Sequence, residues 1–216
     1  VIAVTLQKKA LFQGERLSGA QVFEGATANA KLDSFELNAE KKLSVRAAVT
    51  NEKSQTVNVI GMVEGADPVL KNEYIVFSAH LDHVGFAGAP NETGDAINNG
   101  ADDDASGSAA IMAIARAYAQ GAARGIKPKR TMIFLWVTGE EKGLWGSQYF
   151  NQFPPVDITK VVANLNIDMI GRSKPAGYTD PPSYKLVSPG EVFVVGPTIS
   201  SDDMKKVVES VAASYG

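Results

Sequence analysis

YIVFSA, residues 74–79, is a short and nearly continuous apolar run, and three more of the same kind follow: TMIFLWVT at 131–138, VVANLNI at 161–167 and VFVVG at 192–196. Runs like these suit strands covered on both faces, the habit of parallel sheets. Between them the spacing becomes helical, over 105–120 with Ile111, Ile114, Ala115 and Tyr118 on one face, over 143–150 and over 201–214. Strands alternating with helices predict an α/β chain, a three-layer α/β/α sandwich around a mostly parallel, mixed central sheet. Upstream, 43–50 and 56–63 alternate apolar and polar residues around the polar turn 51–55, which predicts a hairpin whose strands each have one solvated face. The first 40 residues fit the alternation poorly and are assigned elsewhere, leaving 41–216 as the body of the fold.

The composition is that of a globular chain: 216 residues, 44% apolar and 21% charged, enough for one sizeable core. Lys and Arg number 21 against 24 Asp and Glu, so a net charge of −3 offers no broad basic field to nucleic acid or an anionic membrane. No apolar run reaches the ~18 residues of a membrane span. Cysteine is absent, which removes disulfides, thiolate metal sites and cysteine nucleophiles; any metal must be held by oxygen and imidazole. The first residue is Val1 and the last three are Ser-Tyr-Gly, and no charged region with a cleavage site opens the chain, so the sequence is read as a piece of a longer protein.

In an α/β sheet the functional groups collect where buried strands end. The first run leads into SAHLDHVG (78–85), the second into TGEEKG (138–143), the third into NIDMIG (166–171), and GADDDASG (100–107) lies between the first two. A lone histidine at a strand end is ordinarily a hydrogen-bonded core residue. In an extended segment, however, residues two apart share a side, so Asp82 is expected to hold the second ring nitrogen of His80, as in carboxylate–histidine–metal sites. His83 is expected to point away, as a structural or loop residue. Asp102, Asp103 and Asp104 could cap a helix, yet three adjacent carboxylates repel one another unless a cation neutralises them. Glu140 and Glu141 could decorate a first helical turn, while Asp168 sits among apolar residues where an unpaired acid is costly. One shared metal site accounts for all of them. Carboxylates with one imidazole and no sulfur suit catalytic zinc, with manganese or cobalt able to use the same ligands. Of the two glutamates, one would bind metal and its neighbour handle a proton.

HLD, GADDDASG, GEEKGLWGS and NIDMIGR, in this order from Ile75 to Arg172, resemble the di-zinc aminopeptidases of metallopeptidase family twenty-eight. The resemblance implies the zinc exopeptidase fold, truncated here. It makes His80 and Asp168 ligands of one zinc, Glu141 a ligand of the other, Asp103 the bridge, Glu140 the general base and Asp82 the partner of His80. Asp102 and Asp104 remain the alternatives if the alignment slips by one. It also implies a cis peptide bond between Asp103 and Asp104. The VTLQKKALFQGE segment more weakly resembles the end of the protease-associated domain that many secreted members insert before this core, so 1–40 is assigned to it and 41–216 to an incomplete catalytic domain.

The activity implied is hydrolysis at the free N-terminus of peptides, through a zinc-bridging water with Glu140 as base, in a secreted or periplasmic protein. Two zinc ions are implied for the full-length site. The family draws the last histidine of its second zinc from a motif downstream of the segment ending at Gly216, and this chain has two histidines in all. A gap is therefore expected beside Glu141, with one tightly held zinc or none in this chain. The alternatives are glutaminyl cyclisation, an acyl transfer by single-zinc relatives, and a binding module without chemistry.

Overall fold

The computed structural model describes residues 11–28, 31, 33–42, 48, 50, 53–179 and 185–215. Contacts divide the chain into two compact units, 1–53 and 54–216. In the first, helix α1 (Gly19–Thr27) opens with a capping box: Ser18 Oγ accepts from the Gln21 N–H while Gln21 Oε1 accepts from the Ser18 N–H at 2.8 Å.

The second unit is built on a four-stranded sheet in the order β1 (Val59–Val63), β5 (Thr131–Val137), β2 (Tyr74–His80), β6 (Val161–Asn166). β2 runs parallel to both neighbours, and β1 is antiparallel to β5. Strands β3 (Gly85–Phe86) and β4 (Ile97–Asn98) form a separate small ribbon after β2. The sheet is thus mixed and mostly parallel, with helices flanking it.

Alternation along the two central strands sorts the core into two layers. Ile75, Phe77 and Ala79 of β2 join Met132, Phe134 and Trp136 of β5 against helix α2 (Ala105–Ala123), whose Ile111, Ile114, Ala115 and Tyr118 fill the seam. Val76 with Ile133, Leu135 and Val137 face the other way, onto Phe150 of helix α3 (Trp145–Gln152). Each fully buried aliphatic side chain stabilises the fold by about 1.5–3 kcal/mol, so these two layers hold the strand ends in place.

The first strand of the expected hairpin, 43–50, lies largely outside the described residues; the second, expected over 56–63, is β1 (Val59–Val63), which pairs with β5. VFVVG does not form a strand. Residues 191–195 have no ladder partner among the described residues, and Val195 is 90% exposed. An apolar run becomes a strand only where a sheet edge meets it, which pattern alone does not report. Beyond it lie helices α4 (Pro197–Ser200) and α5 (Asp202–Tyr215). Among the described residues no helix is long and apolar enough to cross a membrane.

Candidate metal centre

Four segments meet at the carboxyl ends of the parallel strands. His80 is the last residue of β2, Glu140 and Glu141 follow β5, Asp168 follows β6, and Asp103 lies just before α2. Gly107 allows the close approach: a Cβ there would collide with the Ile167 carbonyl oxygen and the Asp104 carboxylate. Met169, directly after Asp168, is held at φ 54°, and Leu144, after the glutamate pair, at φ 62°. Left-handed non-glycine residues of this sort gather at functional sites.

The three aspartates have separate tasks. Asp104 is 2% exposed and caps α2, accepting from the Gly107 N–H at 2.9 Å and from the His80 N–H at 3.1 Å. Asp102 accepts from the Gly171 N–H at 2.8 Å. Only Asp103 faces both imidazoles, with Oδ1 3.0 Å from His80 Nε2 and Oδ2 3.9 Å from His83 Nδ1. The Asp103–Asp104 peptide bond is cis, as the resemblance implies.

His80 is oriented by a main-chain group. Its Nδ1 lies 2.8 Å from the Asp82 carbonyl oxygen and donates to it, which leaves Nε2 with its lone pair toward the acids. The expected carboxylate contact is corrected here: Asp82 Oδ2 accepts from the Gly139 N–H at 2.8 Å and does not touch the ring. β2 ends at His80, so the two-residue alternation assumed for Asp82 does not continue past it.

The same bend places His83. It was expected to point away, yet its Nδ1 lies 2.6 Å from Glu141 Oε1, where a gap was anticipated. This closeness of His83 to Glu141 is what strand alternation did not foresee; the available signal was that the only two histidines of the chain stand three apart at one strand end. Two sets of donors result, His80 with Asp103 and Asp168, and His83 with Asp103 and Glu141, each with its ligand atoms within 4.8 Å of one another.

These atoms suit a metal better than they suit each other. His80 Nε2, His83 Nδ1 and Glu141 Oε1 are buried and make no hydrogen bond despite their near neighbours. Donors of a tetrahedral ion at 2.0–2.2 Å stand about 3.3–3.6 Å apart. The separations of His80 Nε2 from Asp103 and Asp168, 3.0 and 3.8 Å, bracket that span.

The electrostatics point the same way. Burial, with the Asp168 charge adding to it, pushes the Asp104 carboxyl up to about 6 against the pull of the Gly107 and His80 N–H groups. Asp168 is raised by burial and by Asp103, Glu141 and Asp102, with His80 partly offsetting them. For His80 burial opposes the charged form, but the Asp82 carbonyl and the carboxylates of Asp104, Asp168 and Glu140 outweigh it and raise the pKa. Carboxylates gathered this closely, most of them only partly buried, are stabilised by a cation.

The model of peptidase family M28 matches residues 58–215. The chain belongs to peptidase family M28. Among its relatives, the leupeptin-inactivating enzyme 1 of Streptomyces exfoliatus is 34% identical over 139 residues, covering 63% of this chain and 28% of that protein. Leucine aminopeptidase 2 of Trichophyton rubrum is 35% identical over 138 residues, or 62% of this chain and 24% of that one. A protein of Pyrenophora tritici-repentis named "Probable zinc metalloprotease" is 41% identical over 92 residues, covering 42% and 20%. The matches thus span between a fifth and somewhat over a quarter of these relatives.

Proposed function

We propose that this chain carries the metal-binding part of a zinc aminopeptidase acting on the free N-termini of peptides. The observation behind this reading is the pair of donor sets sharing Asp103, in a chain similar to a leucine aminopeptidase. His80, Asp103 and Asp168 would hold one zinc, and Asp103 with Glu141 would contribute to the other. Zinc, when bound, supplies the Lewis acidity that acidifies a water and polarises the scissile carbonyl.

Glu140 lines one cavity of about 270 Å³ together with His80 and Asp168. From that wall its carboxylate takes the proton of the attacking water and returns it to the leaving amine. The Asp82 carbonyl fixes the His80 tautomer so that Nε2 keeps its lone pair. Glu140 and Asp168 together make the cavity attractive to the ammonium group of a peptide. The same reading takes residues 1–40 as the end of a protease-associated domain and the parent protein as secreted or periplasmic.

The test is Glu140→Gln in the full-length enzyme, assayed on aminoacyl chromogenic amides with metal content measured in parallel. Turnover should fall about a hundredfold to ten-thousandfold while zinc is retained. Wild-type turnover would remove Glu140 as the base. Conversion of an N-terminal glutaminyl peptide to its pyroglutamyl form with release of ammonia, without hydrolysis of other substrates, would assign the centre to acyl transfer instead.

A further inference from the structure

We propose that Asp102 and Ser106 are positioning residues of the metal centre: they clasp the loop after β6 and so set where the Asp168 carboxylate stands relative to Asp103. This rests on reading the strand ends as a metal centre, and it adds two side chains from outside the ligand set.

Asp168 needs a holder. Its side chain is 36% exposed, so packing alone does not fix it, and the place of its carboxylate follows the main chain. The β6 ladder to β2 ends at Asn166, and the Ile167 N–H adds one more bond, to the Ser78 carbonyl oxygen at 2.8 Å. Beyond it the main-chain donors turn to side chains of 102–106. The Met169 N–H meets Asp104 Oδ1 at 3.4 Å, the Ile170 N–H meets Ser106 Oγ at 3.1 Å, and the Gly171 N–H meets Asp102 Oδ1 at 2.8 Å. Three successive N–H groups are thus received by three side chains of one short segment.

That segment carries Asp103 in its middle. Tying 102–106 to 169–171 therefore fixes the Asp103 and Asp168 carboxylates relative to each other, around His80 Nε2, which lies 3.0 Å from one and 3.8 Å from the other. The fit is close: a Cβ on Gly171 would stand 2.9 Å from Ser106 Cβ and 3.1 Å from Asp102 Oδ1. An ordinary alternative is that Asp102 and Ser106 merely finish the start of α2. Ser106 Oγ does donate back to the Asp102 carbonyl oxygen, at 2.7 Å, as serines in a first helical turn do. Yet α2 already has its cap in Asp104, and the bonds to Ile170 and Gly171 reach across 64 and 69 residues of sequence, so they join two segments. Asp102 also faces Arg172, with Oδ2 3.6 Å from Nε, but an ion pair this open to solvent contributes little.

The experiment uses the full-length enzyme, with zinc affinity measured by chelator competition in the wild type, Asp102→Ala, Asp102→Asn and Ser106→Ala. Asp102→Asn separates the hydrogen bond from the charge, because its amide oxygen still accepts from the Gly171 N–H. The cobalt-loaded proteins are compared by visible absorption, which follows ligand geometry rather than overall stability, and urea unfolding of the metal-free proteins reports the fold. Zinc affinity should fall about 10- to 100-fold in Asp102→Ala and Ser106→Ala, with an altered cobalt spectrum, as is usual when a group that orients a ligand is lost. Asp102→Asn should keep the wild-type spectrum and most of the affinity. Wild-type affinity and spectrum in both alanine variants would overturn the clasp and leave the metal centre standing. Asp102→Asn as weak as Asp102→Ala would also overturn it, by assigning the effect to charge. No zinc bound by the wild type would overturn the proposal together with the metal-dependent reading beneath it. Should Asp102→Ala fail to fold, Ser106→Ala and Asp102→Asn decide the matter through the same measurements.

Discussion

Asp104→Ala should be among the most damaging single changes near the centre, although Asp104 is assigned no metal. Its carboxylate receives the Gly107 N–H on one oxygen and the His80 N–H on the other, at 2.9 and 3.1 Å, and the residue is 2% exposed. Loss of the helix cap costs about 1 kcal/mol, and leaving a buried N–H unpaired costs about 1–3 more, for a sum of roughly 2–4 kcal/mol. For a unit of this size that lowers the melting temperature by about 4–16 °C. Asp104→Asn should fall between the two, since its one oxygen serves one N–H while its amide group confronts the other.

A pH series separates the charge of Asp104 from its shape. In the metal-free protein the Asp104 carboxyl titrates at about 6, against 3.8 for an ordinary aspartate. The folded state therefore holds this proton more tightly than the unfolded chain, and the contribution of Asp104 to stability falls as pH rises from about 4 to about 6, then levels. Asn does not titrate, so the advantage of the wild type over Asp104→Asn should be largest near pH 4 and shrink toward pH 7. Urea unfolding of EDTA-treated protein measures both effects. An Asp104→Ala variant within ~0.5 kcal/mol of wild type would refute the capping argument, and a gap that widened with rising pH would refute the burial argument.

Two further changes test the packing that holds the strand ends. Ile111 is fully buried against Ala79, Met132 and Phe134, so Ile111→Ala should cost about 2–5 kcal/mol in thermal or urea unfolding. Gly107→Ala should cost about 1–3 kcal/mol in the same assay, because the added methyl meets a main-chain oxygen and a buried carboxylate rather than a flexible side chain.

The sheet was legible where residues are covered on both sides. YIVFSA, TMIFLWVT and VVANLNI read as buried strands because continuous apolar runs need a layer on each face, and α2 read as a helix because Ile111, Ile114, Ala115 and Tyr118 keep a single face. VFVVG has the same composition and lies exposed, since composition does not name a partner edge. At the centre the residue types were legible and the directions were not. Asp82 and His83 were placed by extending strand alternation past His80, where the strand stops. The chain bends there, exchanging the Asp82 carboxylate for its carbonyl and turning His83 toward Glu141. Likewise GADDDASG announced an acidic site, but which aspartate caps, which braces Gly171 and which faces the imidazoles depends on contacts from β2 and from the loop after β6.

Anomalous diffraction at the zinc edge, from crystals of the zinc-loaded chain, tests the central claim most directly. The account predicts a strong peak about 2.0–2.2 Å from His80 Nε2, Asp103 Oδ1 and Asp168 Oδ2, with a second on the Glu141 side of the Asp103 carboxylate. Zinc bound elsewhere on the surface, with His80 Nε2 left without a metal at saturating zinc, would contradict it.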